Sequence, residues 1–384
     1  MRFEFATTSR IIFGRGVVRE LPPMAAGMGR YACVVTGKDA RRSADLVAAL
    51  HRKGIETRPY AVPGEPTTAT IREGTDLARR AGCELVIAMG GGSVLDAGKA
   101  MAALLTNRGD LFDYLEIVGK GQPLQRASAP CIAVPTTAGT GAEVTRNAVI
   151  GSTEHHVKVS MRSPLMLPSL AMVDPLLTVT MPPSVTAFTG LDALTQLIEA
   201  FVSNRANPLT DGICREGMTR AGRSLATAFG NGADLNARED MALASLFGGL
   251  ALANGGLGAV HGFAAPIGGM FSAPHGAVCG RLLPRVVAAN IEALERRDPS
   301  ALALSRYDEI AQILTGTARA RAQDGIFWLE DLCGELAPPP LRTFSMKPGD
   351  FQGIVNKAQR ASSMRGNPIA LTDQELLDVL EKAF

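Results

Sequence analysis

A strand-like run that ends in three glycines and a serine constrains this sequence more than any other feature. In "AMGGGSVLDAGKA" (88–100) the glycines separate an apolar strand pattern from a helical pattern. Glycine lets backbone amides approach a pyrophosphate closely, and the N-terminus of the following helix offers unpaired N–H groups and a favourable dipole. A tight strand-to-helix turn would use the same residues, so this stretch alone leaves phosphate binding and a structural turn equally open.

A second polar turn follows another apolar strand pattern. "PTTAGTGAEVT" (135–145) places the hydroxyl groups of Thr136, Thr137 and Thr140 around two glycines. Such hydroxyls suit contacts with phosphate, ribose and amide groups. Two such turns in one sheet favour a single nucleotide site, and two unrelated polar turns remain the alternative.

Strand and helix patterns alternate up to about residue 180. Strand patterns at 31–37, 84–93 and 130–141 enclose helical spacing at 41–53 and 68–82. This alternation predicts an α/β fold with a Rossmann-like parallel sheet covered on both faces, whose ligands bind at the carboxyl ends of the strands.

Long Ala/Leu/Gly-rich helical patterns take over after 173–188, and the pair Pro182–Pro183 is a plausible boundary. The length of 384 residues also favours two domains. We therefore expect an α/β nucleotide-binding domain over 1–180 and an all-α domain for metal and substrate over 181–384.

Composition excludes several classes of function. Lys plus Arg total 39 and Asp plus Glu total 37, so no strong field favours nucleic acid or an anionic membrane. No apolar run has the length of a signal peptide core or a membrane span, which predicts a soluble cytoplasmic protein. The cysteines lack CxxC spacing and are expected to be reduced core residues rather than a thiolate metal site. They are Cys33, Cys83, Cys131, Cys214, Cys279 and Cys333.

The helix pattern "GLDALTQLIEAF" (190–201) carries polar residues on one face, with Asp192, Gln196 and Glu199 at i, i+4 and i+7. Taken alone, this pattern is typical of a solvated face. His261 and His275 lie in stretches of low polarity, and burying both beside Asp192 without a shared partner would be costly. A shared metal is therefore one interpretation, and hydrogen-bonded core histidines are the other. The remaining histidines are predicted at the surface: His51, His155 and His156.

These motifs, with "KVSMRSPLMLPSLAMVDP", "VHGFAAPIGG" and "PHG" in the same order, resemble the iron-containing (group III) alcohol dehydrogenase family over nearly the whole chain. The resemblance implies a dehydroquinate synthase-like architecture, with a nucleotide-binding α/β domain and a helical metal-binding domain. It also implies a cleft between them where hydride passes between a nicotinamide and a metal-bound alcohol or aldehyde, and a homo-oligomer, namely a dimer.

The resemblance implies a cofactor position for residues in both turns and around them. The first turn would hold the pyrophosphate, Asp96 would lie near the nicotinamide ribose, and the threonines would line the cofactor path. Lys158 would lie close to the cofactor ribose, whereas its pattern alone indicates only a strand with one exposed cation. The implied positions are Gly37, Gly91, Gly92, Ser93, Asp96, Thr136, Thr137, Thr140 and Lys158.

The resemblance also implies that Asp192, Gln196, His261 and His275 ligate Fe(II) or Zn(II). The family has a histidine at the second of these positions, and Gln196 is a neutral, weaker donor. Three alternatives stay open. Asp192 and the two histidines suffice, as in the related glycerol dehydrogenases; Gln196 completes a four-ligand site; or the metal has been lost.

Two further positions bear on proton transfer and cofactor choice. Ala265 replaces a family histidine near the nicotinamide, so protons would pass through water, a ribose hydroxyl or Thr140. Gly37 stands where NAD-preferring members carry aspartate, and the cations of "GKDARR" (37–42) would attract a 2'-phosphate. NADP is therefore favoured over NAD, the alternative being that these cations are simply solvated.

The sequence thus predicts an NAD(P)-linked oxidoreductase that acts on a small alcohol/aldehyde pair, with the metal polarising the carbonyl. Maleylacetate reductase-like and dehydroquinate synthase-like enzymes are alternatives on the same fold. A degenerate nucleotide-binding protein without turnover is the alternative from another class, and Gln196 and Ala265 are the residues that favour it.

Overall fold

The computed structural model describes residues 2–155 and 157–384, which form two compact units. The α/β unit contains residues 6–137 and 141–178, and the helical unit contains 179–384 together with residues 2–5 and 138–140. The predicted surface position of His156 lies outside the described residues.

The α/β unit is built on a parallel sheet, as the alternation of patterns predicts. In the described part of the chain six strands pair in the order β1-β8-β5-β4-β2-β3. An antiparallel ribbon of β6 and β7 lies outside this sheet; its second strand agrees with the strand pattern around Lys158, but its pairing with β6 was not anticipated. The strands are β1 Ile11–Phe13, β2 Tyr31–Thr36, β3 Glu56–Ala61, β4 Leu85–Gly90, β5 Cys131–Pro135, β6 Asn147–Ser152, β7 Val157–Arg162 and β8 Leu170–Val173.

Both faces of the sheet are covered. Along β4, Val86 and Ala88 belong to one hydrophobic cluster, whereas Leu85 and Ile87 belong to another. Because successive side chains of a strand point to opposite faces, the two clusters lie on opposite sides of the sheet. Helices of this unit are α1 Leu21–Ala26, α2 Ala44–Arg52, α3 Thr68–Arg80, α4 Gly92–Thr106 and α5 Leu111–Tyr114.

The helical unit begins its first long helix, α6, at Pro183, where the proline pair favoured a boundary. Contrary to the expectation that no run has the length of a membrane span, this helix is long and apolar enough to cross a membrane, but 83% of its apolar window is buried inside the protein, as in a core helix. The helices of the unit are α6 Pro183–Val202, α7 Pro208–Gly230, α8 Leu235–Gly255, α9 Ala259–Phe271, α10 His275–Arg297, α11 Leu302–Thr315, α12 Ala322–Leu336, α13 Phe351–Ala358 and α14 Asp373–Ala383.

Candidate active site

The polar face of α6 is buried rather than solvated. Asp192, Gln196 and Glu199 are 1%, 2% and 5% exposed. The solvated-face interpretation of these residues is therefore wrong, because the face packs inside the helical unit. Buried carboxylates are costly unless they find cationic, hydrogen-bonding or metal partners.

The partners of Asp192 are the two histidines singled out in the sequence. Its Oδ1 lies 3.3 Å from Nε2 of His261 and 3.5 Å from Nε2 of His275. The two imidazole rings are tilted by 54° to each other, with centroids 5.4 Å apart. Cys279 joins this group, and one donor atom from each of the four side chains lies within 4.8 Å of the other three.

Several atoms of this cluster lack hydrogen bonds. Among residues 2–155 and 157–384, the fully buried side-chain polar atoms without a partner are Oδ1 of Asp192, Nε2 of His261, Oε1 of Gln196 and Oγ1 of Thr7. The 3.3 Å separation between Asp192 and His261 thus meets the distance of an ion pair without the alignment of a hydrogen bond. Buried lone pairs are rarely left without a partner. Carboxylate and imidazole donors that converge without one fit a divalent cation.

Glu199 fixes the orientation of His261. One carboxylate oxygen accepts from Nδ1 of His261 at 2.6 Å, and the other accepts from the backbone N–H of Val260 at 2.6 Å. Both contacts lie in the first turn of α9, where unpaired N–H groups and the helix dipole stabilise an anion. With Nδ1 donating to Glu199, Nε2 faces Asp192, and in the neutral ring its lone pair points there, which is the tautomer that a metal ligand requires.

The electrostatics of the cluster reflect this arrangement. Burial opposes protonation of His261, but the Glu199 and Asp192 carboxylates outweigh it and raise the pKa of His261 to about 10. Burial also disfavours the Asp192 anion, yet the His275 and His261 rings hold the pKa of Asp192 well below its usual range. The cluster therefore attracts positive charge, which a metal ion would supply in place of a proton.

A close approach of α10 to α6 brings His275 to Asp192. A Cβ atom on Gly276 would lie 2.1 Å from the backbone oxygen of Phe188, and one on Gly280 would lie 2.4 Å from Leu191. These glycines are four residues apart on one face of α10. Because that face carries no side chain at either position, α10 packs directly against α6 there. Glycine is thus required here for close packing.

The remaining predicted residues of the helical unit lie in different settings. The His275 side chain is 40% exposed, so the cluster is open to solvent on that side. Oε1 of Gln196 lies against α8, 2.7 Å from where a Cβ on Gly248 would stand. Ala265 is exposed. Thr140 lies in the segment 138–140 that belongs to the helical unit.

In the α/β unit, the two polar turns lie side by side at the carboxyl edge of the sheet. Gly90 of β4 pairs with Pro135 of β5, and the N–H of Thr136 donates to the carbonyl of Gly90 at 2.9 Å. A Cβ on Gly91 would lie 3.3 Å from the Thr137 side chain. The α-helix α4 begins at Gly92, so the first-turn N–H groups of Gly92 and Ser93 have no partner within the helix.

Asp96 and Lys158 already have protein partners. The Asp96 carboxylate accepts from the backbone N–H of Val149 at 2.9 Å and lies 3.0 Å from the buried Lys99 ammonium. Lys158 lies on a strand, β7, as its pattern predicts, but its side chain is only 15% exposed and pairs with Glu65 at 2.6 Å, so the predicted exposed cation is wrong. To bind a cofactor, Asp96 or Lys158 would have to contact it in addition to these protein partners.

Gly37 follows the end of β2, and a Cβ there would meet nothing within 4 Å. Of the nearby cations, Arg41 pairs with Asp39 at 2.8 Å. Asp39 therefore offsets part of the positive charge that the sequence pattern suggested. The other predicted surface histidines, His51 and His155, are exposed as expected.

A parallel sheet with two polar turns at its carboxyl edge, and a helical unit with a buried acid–histidine cluster, are the features that the family resemblance implied. The model of the iron-containing alcohol dehydrogenase family matches residues 8–175, and that of its C-terminal domain matches residues 186–384. The chain therefore belongs to the iron-containing alcohol dehydrogenase family.

Individual relatives agree with this assignment. The chain is 34% identical to the 1,3-propanediol dehydrogenase of Klebsiella pneumoniae, over 93% of this chain and 92% of that protein. It is 31% identical to the NAD-dependent methanol dehydrogenase of Bacillus methanolicus, over 97% of each. The crystal structure of a 1,3-propanediol oxidoreductase superposes with a TM-score of 0.91 over the whole of both chains, at 33% identity. The predicted family, fold class and class of activity, an NAD(P)-linked alcohol oxidoreductase, are confirmed.

Sequence reasoning missed two residues of this site. Glu199 was seen on the polar face of α6, but its spacing of seven residues from Asp192 was the only signal of a role. Cys279 was taken for an ordinary core cysteine. Its position four residues after His275 in "PHGAVC" could have indicated a shared helix face.

Proposed function

We propose that this protein is a metal-dependent alcohol dehydrogenase, or aldehyde reductase in the reverse direction, that uses NAD(P) and a small alcohol/aldehyde pair. The observation that carries the proposal is the convergence of unpartnered buried atoms of Asp192 and His261 beside His275. Without a metal, these atoms have no hydrogen-bond partner, and only a proton on His261 would offset the Asp192 carboxylate. The names of the relatives, which include propanediol and methanol dehydrogenases, support a small alcohol as substrate.

Each residue of the cluster has a role in this proposal. Asp192, His261 and His275 would hold the ion, and Gln196 is one candidate for a further ligand through its unpartnered Oε1. Glu199 holds His261 in the tautomer that leaves Nε2 open. The exposed side of His275 leaves room for a substrate oxygen. When bound, the ion supplies a Lewis acid that polarises the carbonyl, and the nicotinamide supplies or accepts the hydride.

The α/β unit would bind the dinucleotide at its two polar turns. The N–H groups of Gly92 and Ser93 at the start of α4 suit the pyrophosphate. Because Gly91 has no side chain to cover Thr137, the pyrophosphate could also contact Thr137. Gly37 leaves open space and no carboxylate at the adenosine ribose position, so we propose that NADP is accepted in addition to NAD. The homo-oligomer and the cytoplasmic location stay predictions.

The test is reversible hydride transfer. The protein is loaded anaerobically with Zn(II) or Fe(II), and oxidation of NADH and NADPH is followed with propanal and 3-hydroxypropanal. His261→Ala is expected to abolish turnover, while the exposed His51→Ala retains it. Tight binding of NADH without turnover on any aldehyde would contradict the proposal and favour the degenerate binding protein.

A further inference from the structure

Cys279 belongs to the acid–histidine cluster by position and contact. It is fully buried, and its Sγ lies 3.7 Å from Nε2 of His275. The two residues are four apart on α10, so their side chains share one face of the helix. Because Sγ also lies within 4.8 Å of the Asp192 and His261 donor atoms, one ion could contact all four side chains.

Gln196 is the competing fourth ligand and compares poorly with Cys279. Its Oε1 is directed against Gly248 on α8, and an amide oxygen is a neutral donor. A cysteine thiolate is anionic and a much stronger ligand for Zn(II) and Co(II). A thiolate would also balance the second positive charge of the ion, of which Asp192 balances the first.

We propose that Cys279, rather than Gln196, is the fourth protein ligand of the metal centre. The inference rests on the metal site of the proposed function. On metal binding the Cys279 thiol loses its proton to the solvent and a bond forms between Sγ and the ion. A site with one carboxylate, two imidazoles and one thiolate prefers Zn(II) to Fe(II), because the sulfur ligand is soft.

Co(II) loading tests the assignment by absorption rather than by activity. Visible d–d bands report bound cobalt, and an intense near-ultraviolet charge-transfer band reports a sulfur ligand. The comparison uses the full-length wild type, Cys279→Ser, Gln196→Ala and Cys214→Ser, a buried cysteine outside the cluster. X-ray absorption of the Zn(II) form adds a distance, with a Zn–S shell expected at about 2.3 Å.

The expected result is a charge-transfer band in the wild type, Gln196→Ala and Cys214→Ser that is lost in Cys279→Ser. Circular dichroism checks that Cys279→Ser is folded, and Cys279→Ala gives a second variant if it is not. Bound cobalt without a charge-transfer band in the wild type would overturn the assignment of Cys279 and leave the metal site intact. No bound cobalt in the wild type would overturn both this inference and the metal-dependent function.

Discussion

At the scale of single residues, buried charge is what separates this site from an ordinary helical core. Asp192 and Glu199 lie on a largely apolar helix, and each has partners within the protein rather than in solvent. Glu199 is the positioning residue of the pair, because it contacts His261 but offers no atom to the four-residue cluster.

Replacing Glu199 by Gln is therefore expected to weaken metal binding by about 10- to 100-fold, the usual effect of losing a carboxylate behind a histidine ligand. The amide keeps the shape but loses the charge that orients the imidazole. Competition with a coloured chelator measures the dissociation constant for Zn(II). Glu216→Gln, an exposed acid on α7, is the matched control and should leave it unchanged.

Substitutions at Gly37 test whether the protein prefers NADPH or NADH. Gly37→Asp places a carboxylate in open space at the end of β2, where it would repel a 2'-phosphate and accept from ribose hydroxyls. We expect the ratio of kcat/KM for NADPH to that for NADH to fall about tenfold, or about 1.4 kcal/mol. Gly37→Asn has the same size without the charge and should change the ratio little. An unchanged ratio in Gly37→Asp would mean that the adenosine ribose does not bind at Gly37.

Glu143 links stability to pH. Burial raises the pKa of this carboxyl from its ordinary 4.5 to about 7, and its own backbone N–H and Lys99 only partly offset the rise. The folded state holds the Glu143 proton more tightly than the unfolded state does, so the contribution of Glu143 to the free energy of unfolding is fully present below pH 4.5. This contribution is lost as the pH rises through 7 and amounts to about 3 kcal/mol.

The Glu143→Gln variant, which cannot lose a proton, should not show this decline. Urea unfolding at pH 5 and pH 8.5 measures the slope for Glu143→Gln, for the wild type and for the exposed-site control Glu154→Gln. Equal slopes in all three proteins would show that Glu143 ionises normally.

At the scale of elements, the contact between α6 and α10 assembles the site. The close approach at Gly276 brings His275 and Cys279 to Asp192, and it tolerates no side chain at the Phe188 carbonyl.

Gly276→Ala is therefore expected to cost about 1–3 kcal/mol of stability and to weaken Zn(II) binding, because α10 must move away from α6. Gly212→Ala, in α7 with open space around it, should instead be neutral or stabilise by about 0.5–1 kcal/mol. Thermal unfolding with and without Zn(II) measures both effects. A Gly276→Ala protein with unchanged stability and affinity would show that the contact is not needed.

At the scale of the whole molecule, the sequence predicts the organisation better than it predicts the site. Short apolar runs that end in glycine or threonine turns indicated β2, β4 and β5, and long helical patterns indicated the change to helices near Pro183, because period and turn chemistry are local properties. The burial of Glu199 and the approach of Cys279 depend on which helices pack together, and no local pattern encodes that. The pairing of β7 with β6 was missed for the same reason, since the ribbon lies outside the main sheet.

The central claim is that Asp192, His261 and His275 hold a metal ion in this member of the iron-containing alcohol dehydrogenase family although Gln196 stands where the family resemblance implies a histidine. Its most direct test is the metal content of the purified protein after anaerobic loading with Zn(II) or Fe(II) and removal of the excess, counted by mass spectrometry. We predict about one ion per chain in the wild type and less than about a tenth of that in His261→Ala. No retained metal in the wild type, or equal retention in the variant, would contradict the claim.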